Sequence, residues 1–427
     1  MGVPNGNSLI KNYGQEISLE SLRGNIIIVD LFYILHKFIR LDLSNPLYYI
    51  LEVINLIEKF NYYGIKPIFV IDGRPPLEKT TKLKRAREKS TVKLTALLNS
   101  DEITSDTKKT DSLLKKSLRV TIEHINVCKE LFNRLNCLYL HVNNCEGDTV
   151  IAELASLLQK DVTIMEDVYV YSADFDMFLF ADIKYILKEL DFEKDTFKLY
   201  IKKDILNDLN ITNDELIMSG FLSGTSLNCG LYKATMVSSI ELSRIYGPFK
   251  SLDDFISTLP RINNDRLENN KILIPSYNFI DRYELVTNTF TLKNTSTFTR
   301  TSIIKFINEK VKIIQEGKHK NTLSNFFNVK YVLEYIQSIT TDSYLIQKYR
   351  SKIRNYSKIH FGITIIVDND DEYQDQDQDQ DQDQDQDQDQ DQDQDLENPE
   401  RKNNDCDYQD LENPERKNNI NDIECVC

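Results

Sequence analysis

Four short apolar runs stand out before residue 190: NIIIVD (25–30), PIFVID (67–72), CLYLHV (137–142) and VYVYSAD (168–174). These β-rich runs end in acidic residues or precede turns. The stretches between them alternate apolar and polar residues with helical spacing. Strand-like runs that lack alternation, separated by helices, predict an α/β fold with a mostly parallel central sheet flanked by helices. Ligands of such sheets gather at the carboxyl ends of the strands, where Asp30, Asp72 and Asp174 fall.

The pattern changes twice further on. Residues 79–120 carry 12 Lys or Arg against 5 acidic residues around a polar middle, which predicts a basic helical insertion with little core. After about residue 205 the chain reads as helical up to roughly 365. The organisation expected is therefore 1–78 and 121–260 as two halves of one core, 79–120 as the insertion, 261–367 as a C-terminal helical region, and 368–427 as a tail. That tail runs in Gln-Asp dipeptides from Gln374 to Asp395 and repeats QDLENPERKNN at 394–404 and 409–419, so it buries no apolar surface and is expected to be disordered. It reads either as an acidic autoinhibitory or DNA-mimicking arm, or as repeat expansion at a tolerated terminus.

Charge alters the picture once the tail is set apart. The formal net charge of −15 includes 24 acidic and 4 basic residues after 367; the first 367 residues hold 48 basic and 43 acidic side chains, a net of +5. A nucleic-acid partner is thus compatible with the folded part. The longest apolar stretch, 25–39, is broken by Asp30, His36 and Lys37, so no membrane span is expected. The N-terminus lacks a secretory pattern, which predicts a cytosol-like compartment. Seven cysteines without a CxxC pair point to reduced thiols.

The candidate chemistry lies in carboxylates: Asp30 and Asp72 at strand ends, Glu146 with Asp148 opening a helix in NCEGDTVIAEL, and Asp174 with Asp176 in SADFDMFLFAD. In the last motif the two acids are expected to share one face while Phe175 and Met177 pack beneath. Six converging carboxylates repel one another unless cations neutralise them. Oxygen donors without His or Cys select Mg²⁺, with Mn²⁺ as substitute, and a pair of such ions hydrolyses phosphodiesters. Taken alone, Glu146 and Asp148 also suit the positive end of a helix.

The motifs IIIVD, IFVIDGRPPLEK, CEGDTVIAEL and SADFDMFLFA, in this order after an initial MG, resemble those of the flap endonuclease family, the XPG-type structure-specific nucleases, and most closely its poxvirus members. The resemblance covers about residues 1–260. It implies a PIN-like 5′ nuclease core with a basic helical arch. It also implies two Mg²⁺ ions held by Asp30, Asp72, Glu146, Asp148, Asp174 and Asp176, and basic side chains at Lys79 and Arg85 acting on the scissile phosphate. Arg87 fits the second basic position as well. Gly2 matches a glycine lying near the DNA. His36 falls where an aromatic ring stacks on a terminal base, or else packs on its helix, and Lys233 is a candidate phosphate contact. The implied activity is a 5′ flap endonuclease and 5′ exonuclease on branched or nicked DNA, working in viral replication, recombination and repair in the host cytoplasm. A junction-resolving nuclease and a catalytically silent DNA-binding scaffold are the alternatives.

Three departures from the family pattern matter. Ser226 stands where a seventh carboxylate is expected, which favours lower metal affinity over lost activity. Of the glycine-rich hairpin that grips duplex phosphates, only Gly230 is recognisable. The segment KNTLSNFFNV (320–329) resembles a sliding-clamp motif, with Leu323, Phe326 and Phe327 as the plug and Lys320 in place of the usual Gln; aromatics at this spacing also suit a helical core.

Overall fold

The computed structural model describes residues 3–75 apart from 43, 44 and 46; residues 79, 80, 88, 92 and 115; 118–267 apart from 232, 233, 248 and 250; 279–311; and positions 337, 338 and 347. The chain divides into two units, Met1–Ile366 and Val367–Cys427, and every described residue lies in the first.

The four apolar runs form strands β2 (Ile26–Asp30), β3 (Lys66–Ile71), β4 (Leu138–His141) and β5 (Val168–Tyr171). They pair in parallel. Three strands beyond the expected set complete the sheet. The strand β6 (Tyr185–Asp191) adds in parallel to β5, while β7 (Thr196–Ile201) and β1 (Gln15–Ser18) follow antiparallel at that edge. The order is β1-β7-β6-β5-β2-β3-β4. The sheet is therefore mixed, with five parallel strands.

Both faces are covered, which is why the interiors of the central strands are apolar without alternation. Ile27 and Val29 pack with helices α2 (Leu31–Phe38), α3 (Tyr48–Tyr62) and α4 (Ile122–Arg134). Ile26 and Ile28 face the other core, with α1 (Gly6–Ile10) and α5 (Gly147–Lys160). That second core continues through α6 (Lys202–Leu209), α7 (Asn213–Ser223), α8 (Met236–Tyr246), α9 (Leu252–Leu267), α10 (Tyr283–Phe290) and α11 (Thr297–Phe306). The boundary expected at residue 260 falls inside α9, at Pro260. No described helix is long and apolar enough to cross a membrane.

Winding sets the place of the site. From β2 the chain steps outward to β3 and β4, then returns to lay β5 on the other side of β2. The reversal opens a crevice between the carboxyl ends of β2 and β5, the usual ligand position in such sheets.

The turn between α7 and α8 is tightly built. Asn228 accepts from the Thr225 backbone N–H and hydroxyl, both at 2.9 Å, and donates to the Phe221 carbonyl at 2.7 Å. Gly230 has φ +63°, and a Cβ there would lie 2.3 Å from the Gly224 nitrogen. A side chain meets both backbone strain and a fixed backbone atom. Gly230→Ala is expected to lower stability by roughly 1–3 kcal/mol, read as a shift in the urea midpoint; an unchanged midpoint would show that the turn relaxes freely.

Candidate active site

Four of the acids reach the crevice because of where strands end. Asp30 is the last residue of β2 and caps α2, its Oδ1 accepting from the Tyr33 N–H at 3.0 Å. Its Oδ2 accepts from the Ser172 hydroxyl at 2.8 Å, and Ser172 Oγ in turn accepts from the Asp174 N–H at 3.2 Å. Ser172 thus ties the ends of β2 and β5 together across the switch point. Asp174 in turn caps a short 3₁₀ turn, Phe175–Phe178, through the Asp176 N–H at 3.3 Å. Phe175 and Met177 are buried beneath it.

Asp72 follows β3 directly, and the backbone beyond it is stitched to the loop before α5. The Gly73 N–H donates to the Cys145 carbonyl at 3.1 Å and the Arg74 N–H to the Asn143 carbonyl at 2.7 Å. This brings Asp72 onto the start of α5. Gly147 sits so close that a Cβ there would lie 1.7 Å from Asp72 Oδ1. The glycine between Glu146 and Asp148 is therefore what lets the two motifs meet. Further along α5, buried Glu153 accepts from the Arg300 guanidinium at 2.6 and 3.3 Å, which anchors the helix to α11.

Lys79 reaches into this group. Its ammonium bonds the Glu146 carboxylate and lies 3.6 Å from Asp148 Oδ2. Burial alone would disfavour its charge, yet Asp148, Asp174, Asp176 and Asp72 outweigh that and raise its pKa above the ordinary lysine value. Conversely, burial holds the carboxyls of Asp30, Asp72, Asp148 and Asp176 above the usual range. Mutual repulsion adds to this: Asp148 acts on Asp30, Asp30 on Asp72, and Asp174 on both Asp148 and Asp176. Negative charge exceeds what one lysine can neutralise.

Such a site fits a hard divalent cation. Its donors are carboxylate oxygens, and both oxygens of Asp176 are buried without a hydrogen-bond partner of normal geometry. Ser226 approaches Asp176 and offsets its raised pKa in part, as a hydroxyl but without the charge of an aspartate. The acids gather at one end of the sheet without closing on a single point. Among the described residues no three His, Cys, Asp or Glu side chains surround one position closely enough to share an ion, and Glu146 is engaged by Lys79. A cavity of about 510 Å³ opens beside Glu146, with Arg74, Asn144, Thr149 and Leu227 in its lining, and gives a ligand access to that side.

His36 lies half-buried on α2. Burial, and then Arg40, Arg119 and His124 nearby, push its pKa down to about 4, so the ring is neutral at pH 7. Its Nδ1 is buried without a hydrogen-bond partner. Gly2, Arg85, Arg87 and Lys233 lie outside the described residues, as do Leu323, Phe326 and Phe327 and nearly all of the basic insertion. Sequence reasoning missed Ser172 and Gly147; each stands inside a quoted motif, two residues before Asp174 and between the two acids of EGD, where only the strand order gives it a task.

An XPG N-terminal domain matches residues 1–93. Flap endonuclease 1 of Methanosarcina acetivorans is 27% identical over 279 residues, which span 58% of this chain and 76% of that protein. Flap endonuclease 1 of Methanocaldococcus jannaschii is 28% identical over 250 residues, 54% of this chain and 70% of the relative. Among solved structures, the catalytic core of Rad2 in complex with DNA substrate superposes with a TM-score of 0.51 at 22% identity, covering 70% of this chain and 88% of that one. The fold is that of a 5′ nuclease core.

Proposed function

We propose that this chain is a Mg²⁺-dependent, structure-specific 5′ flap endonuclease and 5′ exonuclease acting on branched or nicked DNA that carries a 5′ single-stranded end. The XPG N-terminal domain and the flap endonuclease relatives make it a DNA nuclease, a metal-dependent phosphodiester hydrolase. The observation that supports the finer reading is the gathering of Asp72, Glu146, Asp148, Asp174 and Asp176 around one lysine, with Asp30 beside Asp72 and Asp148 at the switch point. Kinship to the poxvirus members, and with it work in viral DNA replication in the host cytoplasm, belongs to the same proposal and rests on the motif resemblance.

Asp30, Asp72, Asp148, Asp174 and Asp176, with Glu146, would hold the ions. When bound, a pair of divalent ions supplies an activated water and a counter-charge for the leaving oxygen. The chain's own residues do the rest. Ser172 fixes the relative orientation of Asp30 and Asp174. Lys79 carries a protonated ammonium at the edge of the acids, placed to draw in the scissile phosphate and to stabilise charge that grows on it. Contacts to the DNA backbone then position the strand without reading its bases.

The test is cleavage of a labelled double-flap DNA with Mg²⁺ or Mn²⁺, with EDTA as control, for wild type and Ser226→Asp. Wild type is expected to cut near the junction only with metal, and Ser226→Asp to need about tenfold less Mg²⁺, since a further carboxylate adds charge to the site. A wild type that binds the DNA yet never cuts it, beside a Ser226→Asp variant that does, would replace the nuclease with a DNA-binding scaffold.

A further inference from the structure

Lys188 on β6 is a buried cation that the chemistry above leaves without a task. It is 5% exposed. Its ammonium donates to the Ala173 carbonyl at 2.9 Å and to Asn7 Oδ1 at 2.8 Å, with the Phe178 and Tyr200 rings 5.2 and 5.8 Å away. Taking an ammonium out of water costs several kcal/mol before its partners are counted, and a well-packed apolar residue is often the more stable choice. Stability alone therefore does not explain a lysine here.

Three local features point to one purpose. The carbonyl it holds belongs to the residue just before Asp174. Directly after it, Glu189 adopts φ +50° and the register of β6 with β7 breaks between Lys188 and Asp191, a bulge of the kind that re-aims side chains near active sites. Asn7, its other partner, lies in α1, where Gly6 is pressed so closely on the Phe175 ring that a Cβ would come within 2.4 Å of it. One ammonium thus joins α1, β6 and the loop carrying Asp174 and Asp176.

We infer that Lys188 is a positioning residue: by fixing the Ala173 carbonyl and the α1 contact, it sets the direction in which Asp174 and Asp176 enter the acid cluster. The role rests on the reading of those acids as metal ligands. A purely electrostatic role has the opposite sign, because an ammonium near a metal site repels a dication, and its removal would tighten binding.

The full chain is compared with Lys188→Met, Lys188→Arg and Asn7→Ala by hydrogen exchange and by Mn²⁺ titration without DNA. Binding to the acidic tail is subtracted with an Asp72→Ala, Asp176→Ala double variant. Lys188→Met is expected to exchange the amides of 173–178 about tenfold faster with α3 unchanged, and to bind Mn²⁺ about tenfold more weakly. Lys188→Arg should restore most of both, and Asn7→Ala should move both less in the same direction. Unchanged exchange in Lys188→Met overturns the inference whatever the nuclease does. Faster exchange with equal or tighter Mn²⁺ binding overturns it too. Should Lys188→Met fail to fold, Asn7→Ala decides by the same readouts. A wild type that binds no Mn²⁺ beyond the tail overturns the metal-site reading, while exchange still reports whether Lys188 holds the loop.

Discussion

Asp174→Ala is expected to cut flap DNA at least about 10³-fold more slowly than wild type, a loss of roughly 4 kcal/mol in the barrier, while folding and binding DNA. The residue stands at the switch point, its amide held by Ser172 and its carboxylate near enough to Asp148 and Asp176 to raise the pKa of both. Its structural duty is small. The carboxylate caps a short turn through one 3.3 Å hydrogen bond, and losing a cap costs about 1 kcal/mol. The amide bond to Ser172 survives the substitution. Asp174→Asn, which keeps the acceptor and removes the charge, separates the roles: it should be as slow as the alanine variant under single-turnover conditions, with the thermal midpoint of wild type. Equal loss of DNA binding, or collapse of both variants, would make Asp174 a residue of the fold.

The second large effect is expected at Lys79. Lys79→Ala should lower the single-turnover rate about 10²-fold, the scale of removing one positioned charge-stabilising group, with DNA affinity changed far less. It also leaves Glu146 and Asp148 without the cation they share. Repulsion among the acids then grows, and Mg²⁺ should raise the melting temperature more in the variant than in wild type, because a ligand of the folded state stabilises by its affinity. Lys79→Arg should recover part of the rate. If Lys79→Ala instead weakens DNA binding and cleavage in equal measure, the side chain is a docking contact and plays no part in the chemical step.

The strands carrying Asp30, Asp72 and Asp174 were legible because a parallel strand buried on both faces must be apolar throughout, so its end is where the first acid appears. The antiparallel edge was not. β1 reads QEIS and lies mostly in solvent, and β6 and β7 pair with each other around a bulge that breaks the alternation a reader would count. The acids themselves were readable by type and order. What surrounds them was not, because Ser172 gains its role from a strand neighbour far away in sequence, and Lys188 from the helix α1 and the loop before Asp174. Asp30 and Ser172 are 142 positions apart, as are the pairing residues of β2 and β5. Lys188 looks like an ordinary surface lysine of a strand until the helix α1 is found over it.

That same long-range pairing has a bearing on how the protein emerges from the ribosome. β2, β3 and β4 can associate once residue 141 has left the exit tunnel, whereas β5 must add to the inner side of β2 after a further 30 residues. Pairings of such sequence separation form late. A nascent chain halted before residue 172 would possess Asp30, Asp72, Glu146 and Asp148 but neither Ser172 nor the two acids beyond it. Interrupted synthesis therefore yields fragments that lack part of the proposed metal site, whose six acids come together only once β5 has paired with β2.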